Sequence, residues 1–435
     1  MTTASDTYNR SLERMFNLRR FGIKLGLDTI QSMLAGLHNP QDAFSSIHIA
    51  GTNGKGSIAA TLAAILQAAG YTVGLYTSPH LVRFNERICI NQAPISDEDV
   101  LAAYEAVDLD RHLRREPTFF EYTTAMALYE FRRKKVDWAV IETGMGGRLD
   151  ATNIITPAIS IISNVSLEHR QYLGNTIARI AREKGGIIKS ETPLITGVRQ
   201  PSAVKVLAEI AAGCSAPLYF YGKAFRTVRN RNGSFNYLGI ETTWKNLKTT
   251  LAGRFQVDNA ALVLAACEIL NSRSLATLSL ESIRTGFAQT KWPGRLEIVT
   301  TAPLVILDGA HNQAAAKNLG AYLSENLKGR RLTLVVGILE DKPYKTMLQS
   351  LLPHCNRAIL TRPRIDRGLA PEKLYAVARE IVPDAVILPD VDAAVTAAIE
   401  SASPQDAVCI AGSLYVVGEA KETLDRKRHL TVNKN

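Results

Sequence analysis

The sequence predicts an α/β protein in two parts: an N-terminal domain over residues 1–297 around a mainly parallel sheet, and a smaller, Rossmann-like α/β domain over residues 298–435. Three observations lead there. Short apolar, β-branched runs alternate with longer helical patterns, as expected of strands buried on both faces by crossover helices. A glycine-rich segment, "GTNGKGS", stands between the first such run and the first long helical pattern. The alternation restarts after "KWPGRLEIVTTAP", a stretch with two prolines and a glycine that reads as a connector.

Taken in order, "SSIHIA" is the first expected strand, and "GSIAATLAAILQAAG" an alanine- and leucine-rich helix ending at Gly70. "TVGLYT", "VDWAVIET", "AISIISNV" and "TPLITGV" follow as strands with helical segments between most of them. From about Tyr219 to Lys248 the chain turns polar, and "RNRNGSFNY" marks a hairpin turn, so a small antiparallel excursion is expected before the helix "QVDNAALVLAACEIL". The second alternation runs through "PLVILDGAHNQAAAKNLGAYLSENL", "RRLTLVVGIL", "RAILTR", "AVILPD" and "DAVCIAGSLYVVGEAKETL". No tandem repeat or low-complexity region interrupts it.

With 46% hydrophobic and 21% charged residues, the composition is that of a soluble globular protein. No apolar run reaches the roughly 20 residues needed to span a bilayer, and "MTTASDTYNRSLERMF" lacks the apolar core of a secretory signal. The five cysteines form no C-x-x-C pair, which argues for reduced thiols in a cytoplasmic protein rather than a disulfide framework or a zinc site. The net charge of +10 suits either nucleic acid or small anionic substrates. Only "RHLRREP" and "EFRRKKVD" are short basic clusters, and these read as solvated helix faces. Small anions are therefore the expected partners, with no nucleic acid and no membrane.

The segment Gly51–Ser57 follows a strand and opens a helix, the context that gives a glycine motif meaning. Backbone N–H groups around Gly51, Gly54 and Gly56 can point at phosphate oxygens, helped by the helix dipole. Lys55 would reach the β and γ phosphates, and Ser57 would offer its hydroxyl to Mg²⁺. The usual pattern puts the hydroxyl residue directly after the lysine; here Gly56 intervenes. A plain glycine turn is the competing reading.

Other polar groups fall at strand ends, the edge where open parallel sheets bind ligands. Glu142 ends "VDWAVIET" and is a natural Mg²⁺ ligand. Glu168 and His169 follow "AISIISNV"; Ser78 and His80 follow "TVGLYT". Singly, each could be a solvated loop residue, and for His80 turn capping is an equal reading. Lys184 stands at a helix end in "IAREKGGIIK", where pattern alone favours a solvated lysine. In the second domain Asp308, His311 and Asn312 end "VILDGAHN", and Ser413 opens a helix, a place suited to a carboxylate. Turn and N-cap chemistry competes for Asn312 and Ser413.

The stretches "HIAGTNGKGS", "YTSPHLVRFNERI", "ETGMGGRLDATN", "LEHRQYLGNTI", "EKGGIIK", "QVDNA", "WPGRLE", "LDGAHN" and "GSLYVVGE" occur in the order seen in folylpolyglutamate and dihydrofolate synthases of the Mur-ligase superfamily. The resemblance runs from "FGIKLGLDTI" to "GSLYVVGE", and a glycine between the lysine and serine of the loop is that superfamily's own form. The chain departs from the common family pattern at Glu168, where Asp is more frequent, and at Gln171, Gly185 and Gln313.

The resemblance implies an N-terminal P-loop ATPase domain and a ligase that joins L-glutamate to dihydropteroate and to folates, consuming ATP through an acyl phosphate. It implies that Gly51, Thr52, Asn53, Gly54, Lys55, Gly56 and Ser57 hold ATP together with Asn259, Arg295 and Asp308. Ser57, Ser78, Glu142 and His169 would hold two Mg²⁺. Lys184 would be carried as a carbamate that supplies an anionic oxygen to a metal, and with Lys55 and His169 it would make up the catalytic set. Leu25, Gly26 and Leu27, Thr118, Phe119, Phe120 and Glu121, and Leu149, Asp150 and Ala151 would line the pterin site, while His311 and Ser413 would take glutamate. A monomer is expected; a monovalent-cation requirement stays open. So do three other readings: a monofunctional folylpolyglutamate synthase, a peptidoglycan-type Mur ligase, and a non-catalytic nucleotide-binding module. Against the second stands the short stretch of about 50 residues ahead of the loop, small for a domain.

Overall fold

The computed structural model describes residues 4–18, 22, 24–108, 113 and 115–432. Phe21 and Ile23 of "FGIKLGLDTI", and Arg111, His112 and Arg114 of "RHLRREP", lie outside the described residues. Contacts divide the chain into two units: Met1–His80, Phe84–Thr250 and Gln256–Lys291, and Leu81–Arg83, Leu251–Phe255 and Trp292–Asn435.

The first unit is built on an eight-stranded sheet of β1 (Ser45–Ala50), β2 (Val73–Tyr76), β3 (Ile88–Ile90), β4 (Ala93–Pro94), β5 (Trp138–Glu142), β6 (Ile159–Ile162), β7 (Leu194–Thr196) and β8 (Leu218–Phe220). Their order is β4-β3-β2-β5-β1-β6-β7-β8. Pairing is parallel from β2 through β8, and β3 and β4 add an antiparallel edge. β1 lies in the middle, with Ile47 opposite Val140 of β5 and Ile159 of β6. Only its first residue is exposed, so its residues do not alternate between core and solvent, and Ser46 and His48 are buried polar positions within it. The helix after it, Lys55–Ala68, is buried from Gly56 to Leu66. Its small residues permit close approach: a Cβ on Gly286 of the neighbouring helix Leu280–Gln289 would sit 2.5 Å from Ile65 Cα.

The expected antiparallel excursion is a three-stranded sheet of β9 (Arg226–Arg229), β10 (Phe235–Leu238) and β11 (Thr243–Leu247), ordered β11-β10-β9. It starts later than expected, because β8 pairs with β7 and belongs to the large sheet. One buried side chain ties it down. Glu268, in the helix Arg254–Ser272, accepts hydrogen bonds from Tyr237 Oη (2.8 Å), Ile240 N (2.9 Å), Glu241 N (2.5 Å) and Thr242 N (2.7 Å).

The second unit holds a six-stranded sheet of β12 (Glu297–Thr301), β13 (Leu304–Asp308), β14 (Leu332–Val336), β15 (Arg357–Leu360), β16 (Asp384–Ile387) and β17 (Ala407–Ala411), ordered β12-β13-β17-β14-β15-β16. All pairs are parallel except β12 with β13. β12 corrects the reading of "KWPGRLEIVTTAP" as connector throughout. An edge strand has one solvated face and no continuous apolar signal; Ile298 is 51% exposed.

The five cysteines are free thiols. Among the described residues no helix is long and apolar enough to cross a membrane.

Candidate active site

The loop Gly51–Ser57 leaves the carboxyl end of β1 and enters the helix Lys55–Ala68 through Gly54, at φ 86°. First-turn N–H groups of a helix have no partner inside it, and with the helix dipole they form an anion site. The loop is shaped by the end of β6. Asn53 N donates to Asn164 Oδ1 (3.0 Å), and Ser163 Oγ and Asn164 Nδ2 each donate to Asn53 O (2.7 Å). Thr52 N donates to Asn164 O (3.0 Å), and Thr52 Oγ1 accepts from Ser166 N (3.0 Å). Gly51 has no room for a side chain: a Cβ would lie 1.9 Å from Ser163 Oγ.

Charged groups gather around this loop. Lys55 Nζ donates to Gly51 O at 3.2 Å and lies 3.7 Å from Glu142 Oε1. Glu142 is buried at the end of β5, and its Oε2 accepts from Ser78 N at 3.1 Å. Ser57 Oγ accepts from Gln256 Nε2 (3.2 Å), whose Oε1 accepts from Asn259 Nδ2 (2.9 Å). Asn259 also covers Gly54, where a Cβ would lie 2.6 Å from its Oδ1.

Lys184 is not solvated: its side chain is 1% exposed, and its amine donates to Gly51 O (2.9 Å) and Glu168 Oε1 (2.7 Å). The helix Ile177–Gly185 buries Ile180, Ala181 and Lys184, so the lysine lies on the apolar face, four residues after Ile180. Burial lowers the Lys184 pKa, and Glu168 only partly opposes it. Burial would raise the Glu168 carboxyl, but Lys184 and Lys55 outweigh that and hold it below its ordinary value. His169 follows, exposed and left-handed at φ 42°. His80 Nδ1 accepts from Arg87 Nε at 2.8 Å.

Of the residues expected at the pterin site, Asp150 is buried, with Oδ2 accepting from Met145 N (2.7 Å) and Oδ1 from Thr152 N (3.1 Å) and Oγ1 (2.6 Å). Leu149 beside it is half-buried and Ala151 buried. Thr118 and Glu121 form the capping box of the helix Phe119–Arg133, and Glu121 also takes two hydrogen bonds from Arg115 (2.9 and 2.7 Å). Between them Phe119 packs on Phe16 and under the Arg87 guanidinium, and Phe120 on Tyr76. Leu25 is 43% exposed, with Gly26 and Leu27 half-buried after it.

In the second unit the expected residues also meet at one sheet edge. Asp308 ends β13 opposite Ala411 of β17, and its carboxylate accepts from Leu296 N and Ala310 N, both at 2.9 Å. Burial raises its pKa, against the pull of Arg295. Arg295 Nη1 donates to Gly309 O (3.0 Å), and His311 Nδ1 lies 2.8 Å from the same oxygen. Asn312 Oδ1 accepts from Ala315 N (2.9 Å) and Ser413 Oγ from Val416 N (3.1 Å), so both cap helices.

Sequence reasoning missed Ser163, Asn164 and Gln256. Their partners lie 110, 111 and 199 residues away in the chain, and their short polar side chains look like ordinary cap residues. Lys184 was open to detection through helical periodicity.

Residues 49–267 match the Mur ligase middle domain, and residues 294–414 the Mur ligase glutamate ligase domain. A dihydrofolate synthase/folylpolyglutamate synthase of Bacillus subtilis (strain 168) is 36% identical over 416 residues, covering 93% of this chain and 96% of that protein. The structure of Escherichia coli FolC in complex with DHPP and ADP superposes with a TM-score of 0.90 at 32% identity, covering 98% of this chain and 100% of the other. A bifunctional folylpolyglutamate synthase/dihydrofolate synthase from Yersinia pestis, complexed with AMPPNP and Mn ion, gives 0.87 at 31% identity, covering 98% and 100%. The chain belongs to the Mur ligase family, within its dihydrofolate synthase/folylpolyglutamate synthase group.

Proposed function

We propose that this protein ligates L-glutamate to dihydropteroate and to tetrahydrofolate polyglutamates, converting ATP to ADP and phosphate. The observation that carries the reading is the convergence of Lys55, Glu142, Ser57 and the buried Lys184–Glu168 pair on one glycine loop at a helix N-terminus.

A carboxylate resists attack by an amine because oxide would have to leave. Transfer of the γ-phosphoryl group to the carboxylate oxygen gives an acyl phosphate and ADP. The glutamate nitrogen then forms the C–N bond, its proton is lost, and the C–O bond breaks with phosphate as leaving group. In the first step the protein acts by positioning and charge balance. Lys55 would turn from Gly51 O toward the γ-phosphate, and the loop N–H groups would orient the other phosphate oxygens.

Among the described residues no three His, Cys, Asp or Glu side chains are grouped to hold a metal ion by themselves. Mg²⁺ keeps several waters and takes one or two carboxylates besides phosphate oxygens, so Glu142 beside the loop suits a nucleotide-borne ion. Ser57, Ser78, Glu142 and His169 would hold two such ions, which neutralise phosphate charge when bound. Lys184 fits carbamate formation. Burial favours its neutral amine, and the nitrogen can bond to the carbon of CO₂, releasing one proton and leaving an anionic oxygen for metal. Asn259, Arg295 and Asp308 are assigned to ATP contacts, and His311 and Ser413 to glutamate. The setting expected for this activity is a cytoplasmic monomer.

The test is ADP release measured with and without L-glutamate, on dihydropteroate and on tetrahydrofolate separately. Turnover on both supports the bifunctional reading, and turnover on tetrahydrofolate alone makes the enzyme monofunctional. Glutamate-independent or absent turnover on both refutes the ligase reading.

A further inference from the structure

One buried polar chain extends the pterin-site carboxylate Asp150 back into the sheet. His48 sits in the middle of β1, fully buried, and its Nε2 lies 2.8 Å from Thr152 Oγ1. Thr152, also fully buried, donates from Oγ1 to Asp150 Oδ1 at 2.6 Å. β1 continues two residues later into the phosphate loop, so one strand carries both features.

Directions of donation follow from valence. Burial raises the Asp150 pKa against the pull of its hydrogen bonds, yet both carboxylate oxygens accept from N–H or O–H donors, the pattern of the ionised form, so Thr152 gives it the single hydroxyl hydrogen. Thr152 Oγ1 must then accept from His48, which makes Nε2 the protonated ring nitrogen and leaves Nδ1 bare. Nδ1 indeed has no hydrogen-bond partner. Burial, with Lys189 nearby, pushes the His48 pKa down to about 3, so the ring stays neutral at working pH. A neutral ring with Nε2–H is the one form that satisfies the whole chain.

We infer that His48 and Thr152 are positioning residues for the pterin substrate: they hold the Asp150 carboxylate in place, with Oδ1 saturated by Thr152 and Oδ2 turned toward Met145 N and the ligand. With both lone pairs of Oδ1 taken by Thr152 and one of Oδ2 taken by Met145 N, the carboxylate keeps one acceptor site in one fixed direction, which suits a single N–H of the pterin. Two buried side chains, His48 on β1 and Thr152 in the short helix Ala151–Ile154, supply the support that keeps a recognition group from swinging. The inference rests on the assignment of Asp150 to the pterin site. The bland alternative is that the three groups merely satisfy one another's buried hydrogen bonds.

The experiment compares KM for dihydropteroate, KM for ATP and kcat in Thr152→Val, Thr152→Ser, His48→Leu, His48→Gln and Asp150→Ala. Thr152→Val is expected to raise KM for dihydropteroate about tenfold, the scale of one hydrogen bond to a charged group. KM for ATP and kcat should stay within about twofold, and Thr152→Ser should restore the lost affinity. His48→Leu should weaken dihydropteroate binding more than His48→Gln, which keeps a donor, and this pair carries the test if Thr152→Val fails to fold. Equal losses in all three parameters would reduce the chain to a structural role and overturn the inference. Unchanged KM for dihydropteroate in Thr152→Val and His48→Leu, with a large rise in Asp150→Ala, would overturn it while leaving Asp150 at the pterin site. Unchanged KM in Asp150→Ala would remove the assignment itself.

Discussion

Replacing Lys184 by Met removes an amine and keeps the length of its buried stem. The amine has two partners, Glu168 Oε1 at 2.7 Å and Gly51 O at 2.9 Å, in a side chain 1% exposed. In the uncarbamylated enzyme, where the amine faces Glu168, breaking a buried pair by removing one partner costs about 3–5 kcal/mol. Glu168 is 13% exposed, so water reaches the abandoned carboxylate and the expected loss is nearer ~2–3 kcal/mol. Glu168→Gln in the same background removes the stranded charge and should recover part of that loss. Urea unfolding of the wild type, both single variants and the double variant gives the coupling directly, expected at about 1–3 kcal/mol. Activity follows different rules: glutamate-dependent ADP release should fall ~100-fold or more in both Lys184 variants, and short carboxylates added to Lys184→Ala should restore part of it. A coupling near zero would refute the ion pair, and wild-type turnover in Lys184→Met would refute any role for the amine in the reaction.

Three further outcomes are expected. Lys55→Ala should abolish amide formation while the urea midpoint shifts less than in Lys184→Met, because Lys55 Nζ stands 3.7 Å from Glu142, beyond hydrogen-bond length, against 2.7 Å between Lys184 and Glu168; near-normal turnover would remove it from phosphate binding. Glu268→Ala leaves the buried Tyr237 hydroxyl and three backbone N–H groups without their acceptor and should cost about 3–4 kcal/mol in chemical unfolding, whereas a loss under about 1 kcal/mol would show that water replaces the carboxylate. Asp99 meets Arg133 and Lys134, which outweigh its partial burial and hold its pKa below the ordinary 3.8. A depressed folded pKa contributes stability above the unfolded value that is lost as pH falls through the folded one; Asp99→Asn should therefore destabilise by up to about 1 kcal/mol at pH 7 and converge with wild type as pH falls through the depressed Asp99 pKa, and a gap unchanged across that fall would contradict the pairing.

Strands buried on both faces were legible in the sequence because burial leaves them few polar positions. "SSIHIA" and "VDWAVIET" became β1 and β5 with neighbours in register. β12 was not, since a strand with one wet face carries half the signal and here sits among prolines. Within the site, the loop and Glu142 were legible through their place at a strand's carboxyl end. Lys184 was hidden by its charge, although its spacing from Ile180 placed it on the buried face. Ser163, Asn164 and Gln256 were beyond reach, because only the folded sheet brings them to residues more than a hundred positions distant.

That last contact set bears on what can be transplanted. Thr52 and Asn53 take their conformation from Ser163, Asn164 and Ser166 on the neighbouring strand's exit. The seven residues of "GTNGKGS" are therefore half of a two-piece fitting. Grafted alone after a strand of another parallel sheet, they would bring the lysine and the glycines but not the scaffold that bends Asn53. A graft that also carried "SNVS" at the end of the adjacent strand would transfer the shape, and the smallest portable form of this nucleotide site is a pair of strand ends rather than a loop.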